Sequence, residues 1–133
     1  MSDRDQEIIE RVRHGYEAFN RGDFDATVEN FHPEIEFVPP GGQKSLKGAA
    51  AFRAWMEPDA FEKQTLEIRE YRINGNKVLV RQHAWARGAG SGIEMELDTW
   101  VVWTLNDEGL ATHVVGFLPG EDTEAFEAAG LSE

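Results

Sequence analysis

Residues 77–105, KVLVRQHAWARGAGSGIEMELDTWVVWTL, constrain the fold more than any other stretch, because they read as two long antiparallel strands joined by the glycine-rich segment 87–92. Ile93, Met95, Leu97, Thr99, Val101, Trp103 and Leu105 alternate with Glu94, Glu96, Asp98, Trp100, Val102 and Thr104. A period of two along a strand marks one buried face, so the odd-numbered residues point inward. With residues 88–92 as the loop, Arg87 falls opposite Ile93, Trp85 opposite Met95, His83 opposite Leu97 and Arg81 opposite Thr99. Arg81, His83 and Trp85 then share the inner face. A slip of one residue would turn all three outward, so the loop register carries the inference.

The rest of the chain supplies helices before this hairpin and a strand and a helix after it. Ser2 or Asp3 caps a first helix in which Ile8, Ile9, Val12, Tyr16 and Phe19 recur at helical spacing until Arg21-Gly22. Asp23 caps a shorter helix, DFDATVENF, ended by His32-Pro33 because the residue before proline avoids helical dihedrals; His32 is a boundary residue. Glu34 to Val38 alternates as a short strand, PPGG at 39–42 is a loop, and a third helix covers about Ala49 to Met56 with Phe52, Trp55 and Met56 as core. Residues 64–73 form a strand, and Ile73-Asn-Gly-Asn76 turns into the hairpin. Asn106-Asp-Glu-Gly109 is a second turn, which sets Trp103 against Thr112, Val101 against Val114 and Thr99 against Gly116. The segment TEAFEAAGL closes the chain as a helix stopped at Gly130. Helices first and a meandering sheet afterwards indicate an α+β fold with the helices on one face.

A chain of 133 residues suits a single domain, 1–133, that buries about two-thirds of its unfolded surface. The net charge is −12, and no Lys or Arg follows Arg87. That excludes nucleic acid and anionic membranes as natural partners, since both require clustered cations. Without cysteine there is no disulfide framework, thiolate nucleophile or cysteine metal site. The start MSDRDQEIIERV has no apolar signal core and no run approaches a membrane span, so a cytoplasmic protein is expected.

On this register the middle of the inner face is under-filled, with Gly116 and the flexible Arg81 beside Thr99. Small residues around a buried cation suggest a cavity for a small ligand. Tyr16, Phe19, Trp55, Trp85, Thr99, Val101, Trp103, Val114 and Gly116 are its expected ligand-binding lining. Arg81 and His83 start about 7 Å apart on one strand face. Burial and the neighbouring cation favour neutral His83, a candidate general base, with Arg81 as the stabiliser of an enolate or carboxylate. The bland alternative pairs Arg81 with a buried carboxylate such as Glu17 and leaves His83 a core residue. Val78, Val80, Trp100, Val102, His113, Val115 and Phe117 point outward, an apolar patch that a second copy would cover. There is no HExxH, no histidine pair at helical spacing and no serine beside a histidine, so neither a metal nor a cofactor is expected.

GYEAFNRGDFDATVENFHPEIEF, the helix after Gly48, RGAGSGIEMEL, VVWTLNDEGL and EAFEAAGL resemble the SnoaL-like branch of the nuclear transport factor 2-like superfamily over nearly the whole chain. The resemblance implies a cone, with helices packed in the concavity of a curved antiparallel sheet, a pocket between them and dimerisation through the outer sheet face. Members with this fold include polyketide cyclases, ketosteroid isomerases, epoxide hydrolases and non-catalytic binding domains, so fold alone does not choose among them. Aligned on the Gly22-Asp23 turn, the PPGG loop and Gly109, the isomerase tyrosine falls at Gly15, beside Tyr16, and its acids fall near Pro39 and Val101. The epoxide hydrolase pattern keeps an arginine, Arg81, but lacks its acids, and His83 is the candidate left for cyclase chemistry. The expectation is a homodimer that binds a mostly apolar, oxygenated small molecule, as a cyclase or isomerase using His83 and Arg81. The alternative is a non-catalytic ligand-binding or association domain.

Overall fold

The computed structural model describes residues 2–41, 43–56 and 61–132; Gly42, the last residue of the PPGG loop, lies outside them. The first helix, α1, runs Asp3–Asn20, and the Ser2 hydroxyl accepts the Asp5 N–H at 3.1 Å. This cap satisfies one of the first-turn donors that a helix leaves without partners. Asp23 caps α2, Phe24–Thr27, in the same way through the Ala26 N–H. That helix is shorter than the expected 23–31. The Ala111 N–H donates to the Asn30 carbonyl at 2.8 Å and draws the following residues into strand β1, Phe31–Val38. Pro33 is tolerated there because the pairing skips between Phe31 and Glu36, so no ladder bond is asked of it. His32 is therefore a strand residue, its Nδ1 accepting the Glu34 N–H.

A two-residue strand β2, Leu46–Lys47, and helix α3, Ala49–Met56, follow. The chain then makes β3 (Phe61–Asn74), β4 (Lys77–Gly88), β5 (Glu94–Leu105), β6 (Ala111–Phe117) and the closing helix α4 (Asp122–Ala128). The sheet order is β2-β1-β6-β5-β4-β3. Neighbours are antiparallel except β1 and β6, which are parallel. The expected antiparallel sheet is thus found with one parallel seam. No hairpin ties β1 to β3, because β2 and α3 intervene, so nothing forces alternation across the β1–β6 seam.

The register of the long hairpin differs from expectation by one residue. Arg87 pairs with Glu94, Trp85 with Glu96, His83 with Asp98, Gln82 with Thr99 and Arg81 with Trp100. Gly88 belongs to the ladder, its N–H donating to the Ile93 carbonyl at 2.8 Å, so the bend is 89–92 and not 88–92. A one-residue shift exchanges the faces of β4 while β5 keeps its own. Val78 and Val80, expected outside, are fully buried beneath α1 with Ile8, Ile9 and Val12. Arg81 and His83 go to the outer face. The β5–β6 register also shifts, Trp103 pairing with Val114 and Val101 with Gly116, with a bulge between Thr104 and Leu105. A shift of two preserves the faces, so Val114 and Gly116 remain inside and His113, Val115 and Phe117 outside.

Part of the outer face is covered by the chain itself, while His113 stays exposed and Val115 half-buried. α4 crosses this face, and Ala125, Phe126 and Ala129 cluster with Leu79, Trp100 and Val102. The Trp100 and Phe126 rings meet edge to face with centroids 5.1 Å apart. Lys77 and Asn74, on either side of the β3–β4 turn, donate to the carbonyls of Ala128 and Ala129 at 2.9 Å each, where a helix end has free acceptors and negative dipole. The expectation that all helices lie on one face is thus corrected. Trp100 and Val102, assigned to a subunit interface with Val80, are buried within one chain. Phe126→Ala should cost about 3 kcal/mol by removing a buried aromatic from this layer. Urea denaturation checks it, and an unchanged midpoint would mean that α4 contributes nothing to the fold.

Candidate functional site

Between the sheet's concave face and helices α1 and α3 lies a cavity of about 610 Å³. Its wall is built mainly from aromatic and aliphatic side chains. Phe37 stacks on Phe52 with centroids 4.3 Å apart, Phe31 tilts against Phe52 at 4.9 Å, and Trp103 reaches Phe31 at 5.7 Å. Tyr16 and Phe19 from α1 and Trp55 from α3 line it together with Thr99, Val101 and Trp103 from β5. Val114 and Gly116 complete the floor. All eight had been expected to line a cavity. Gly116, however, does not leave the void expected of it, since a Cβ there would stand 2.8 Å from Pro40 Cδ. The glycine lets the loop after β1 pack onto β6. Trp85 borders the cavity, yet its indole N–H donates to Glu94 at 3.1 Å, and Arg87 lies 5.3 Å over its ring.

The polar content of the wall is small and organised. The Trp103 indole N–H donates to the Tyr16 hydroxyl at 3.3 Å, and that hydroxyl donates to Gln82 Oε1 at 2.6 Å. Burial pushes the Tyr16 phenol well above its ordinary value, against a smaller lowering by the Trp103 N–H, so Tyr16 is a neutral hydroxyl. Gln64 donates to the Met56 carbonyl at 2.9 Å, tying the end of α3 to β3. At the other end, Arg11 donates to Glu7 at 3.3 Å and Asn30 at 3.4 Å, with its guanidinium flat against Gly109. Among the described residues no Asp, Glu or His lines the cavity. Nor is any group of three or more His, Asp or Glu side chains among them placed to hold a metal ion.

The two residues assigned catalytic roles stand on the opposite side of the sheet. His83 Nδ1 lies 2.6 Å from Asp98 and Nε2 lies 2.8 Å from Glu96. A carboxylate at each ring nitrogen favours the protonated imidazole, the form that can donate from both nitrogens. Its pKa is raised, first by the Asp98 hydrogen bond and then by Glu96, against desolvation and Arg69. The neutral His83 expected from burial beside a cation is therefore corrected. Arg81 lies 3.6 Å from both Glu70 and Asp98 and 5.8 Å from the Trp100 ring centroid. Its partners are not Glu17, which is exposed on α1. Neither Arg81 nor His83 reaches the cavity, so neither serves there as base or anion stabiliser. Gln82 takes the place they had been given. The signal for it was the charge pattern: in the observed register Arg87 faces Glu94 and His83 faces Asp98, the cross-strand complementarity that stabilises neighbouring strands.

A SnoaL-like domain model matches residues 12–114. Among solved structures, TerC co-crystallised with polyporic acid is 25% identical, covering 92% of this chain and 96% of its own at a TM-score of 0.74. SalBIII, an epoxide hydrolase/cyclase-like enzyme with a role in pyran ring formation in polyether salinomycin, is 26% identical over 92% of this chain and 97% of its own, at 0.79. A protein of nuclear transport factor 2-like fold from Burkholderia pseudomallei is 20% identical over 94% and 98%, at 0.76, and shows the fold alone. No curated protein matches the chain.

The outer cluster has a definite pH signature. His83, raised above 6.5, contributes fully below that value and loses its contribution as pH rises through its folded pKa. Asp98, lowered below 3.8 chiefly by the His83 hydrogen bond, contributes above that value and loses it as pH falls through its folded pKa. The stability difference between the native protein and His83→Gln should therefore peak between about pH 4 and about pH 6.5 and shrink on alkalinisation. Urea titrations across pH test this; a difference flat from pH 5 to pH 9 would contradict the ion pair. Binding of any ligand in the cavity should be the same in both proteins.

Proposed function

The chain belongs to the SnoaL-like family, and from that premise we propose that it binds a mostly apolar, oxygenated small molecule inside the cone. The observation that carries this reading is the cavity: about 610 Å³ of mostly apolar, aromatic-walled space with one ordered polar chain, Trp103 to Tyr16 to Gln82. That size and balance suit a ligand whose apolar body supplies affinity and whose few polar atoms set orientation. The unit of function in this reading is the single cone. α4 covers Trp100 and Val102, two residues of the expected homodimer surface, and leaves His113 exposed on the same face.

A second reading, ring closure on the bound molecule, is favoured by the 26% identity to the epoxide hydrolase/cyclase-like enzyme. In it, the cavity holds a flexible chain in a near-closed shape, which removes much of the entropic barrier to cyclisation. Tyr16 is a neutral hydroxyl that can orient an oxygen and cannot act as a base. His83 and Arg81 have no part in either reading.

Ala84 projects into the cavity from β4 beside Leu66 and offers a way to block it. Mass spectrometry of organic extracts should recover an apolar oxygenated compound from the native protein and none from folded Ala84→Trp. The recovered compound, returned to the native protein, then separates the readings: unchanged mass and connectivity mean binding alone, and an isomeric cyclic product means ring closure. If native and variant carry the same compounds, the cavity is not where they bind.

A further inference from the structure

The polar chain in the cavity has a direction. An indole nitrogen can only donate, so Trp103 fixes the Tyr16 oxygen as an acceptor and leaves the phenolic proton for Gln82. Gln82 receives it on Oε1 at 2.6 Å. The amide nitrogen is then the free end of the chain, with two N–H donors and, among the described residues, no hydrogen-bond partner. It is not a buried orphan, since every buried polar side-chain atom described has a partner. Gln82 lines the cavity, with Ala84 and Ala86 continuing its strand face and Thr99 opposite on β5. Hydrogen bonds in series polarise one another, so the amide at the end is a better donor than an isolated one.

The surroundings narrow what such a donor meets. With no described carboxylate or histidine in the lining, nothing near it accepts a proton from a ligand hydroxyl as an ion would. A ligand carboxylate would give up its hydration for neutral N–H groups, an unfavourable exchange. Arg11, the cation of the lining, is already set against Glu7 and Asn30. A neutral carbonyl oxygen, by contrast, loses little water and gains a directed donor. Resting on the reading of the cavity as a small-molecule site, we propose that the Gln82 side-chain amide selects the ligand, donating to the carbonyl oxygen of a neutral, mostly apolar ketone. Tyr16 is the positioning residue: it holds the amide oxygen so that the nitrogen faces the cavity.

The test uses 9-fluorenone and fluorene, near-identical in shape and differing in the carbonyl. The native protein should bind fluorenone about tenfold more tightly than fluorene, the worth of one well-made hydrogen bond. The infrared carbonyl stretch of bound fluorenone should fall below its value in a hydrocarbon solvent. Gln82→Glu at alkaline pH keeps the acceptor for Tyr16 and removes the N–H donors; it should bind both probes alike, with the stretch restored. Tyr16→Phe should weaken the preference and broaden the stretch without abolishing either, because the amide is present but unaligned. Equal affinity of the native protein for the two probes, or an unshifted stretch, would overturn the assignment of Gln82 while leaving the cavity as a binding site. Failure of the native protein to bind either probe would overturn the cavity reading itself, and this inference with it. If Gln82→Glu does not fold, the two native measurements decide the matter unaided.

Discussion

The Gly88 N–H donates to the Ile93 carbonyl, and this one bond decides which residues of β4 meet β5. The bend that it closes depends on glycine at particular points. Gly90 and Gly92 take positive φ, +80° and +70°, a region costly for other residues. At position 88 a Cβ would collide with Ser91 Oγ, whose other contact is to accept the Ile93 N–H at 3.2 Å. Ser91 is thus part of the device that sets the register. A closure one residue tighter or looser would reverse every side chain of β4.

That reversal would be expensive, which explains why the observed register prevails. It would bury Arg81 and His83 among the apolar residues of the cone, away from Glu70, Asp98 and Glu96, and charges buried without partners cost several kcal/mol each. It would also bring Val78 and Val80 out from beneath α1. In the folded protein the outer face instead interleaves charge with apolar anchors. The Trp100 ring lies between Arg81 and Phe126, and Arg72 covers Phe126 at 5.1 Å. The short helix α4 can therefore stay on a sheet face that is half charged, held at its C-terminal end by Asn74 and Lys77.

Inside the cone the same register leaves a mostly apolar wall crossed by a polar chain. Tyr16 on the first helix, Trp103 on β5 and Gln82 on β4 are 87 and 66 residues from one another in pairs that include Tyr16, so the chain assembles only once helix and sheet are docked. Each member satisfies the next, which lets three polar side chains stand in an apolar cavity without the penalty of an unmade hydrogen bond. The ordered chain and the pocket are therefore products of one event, the packing of α1 across β3, β4 and β5.

Much of this was legible in the residues. The helical spacing of Ile8, Ile9, Val12, Tyr16 and Phe19, the Ser2 and Asp23 caps, α3, and the alternation of β5 are local patterns, and local patterns survive into the structure because propensity, capping and burial agree there. So did the β5 part of the cavity lining, since Trp103, Val101 and Thr99 follow from the strand period alone. The face of β4 did not, because it depends on whether a glycine-rich bend closes at residue 87 or 88, and glycine permits both. Neither the place of α4 nor the parallel seam between β1 and β6 could be read locally. Sequence by itself determined which residues are apolar, capped and alternating. Only the tertiary structure decided that Gln82 enters the cavity and His83 leaves it, because a strand has two equivalent sides until its pairing partner and the charges opposite choose between them.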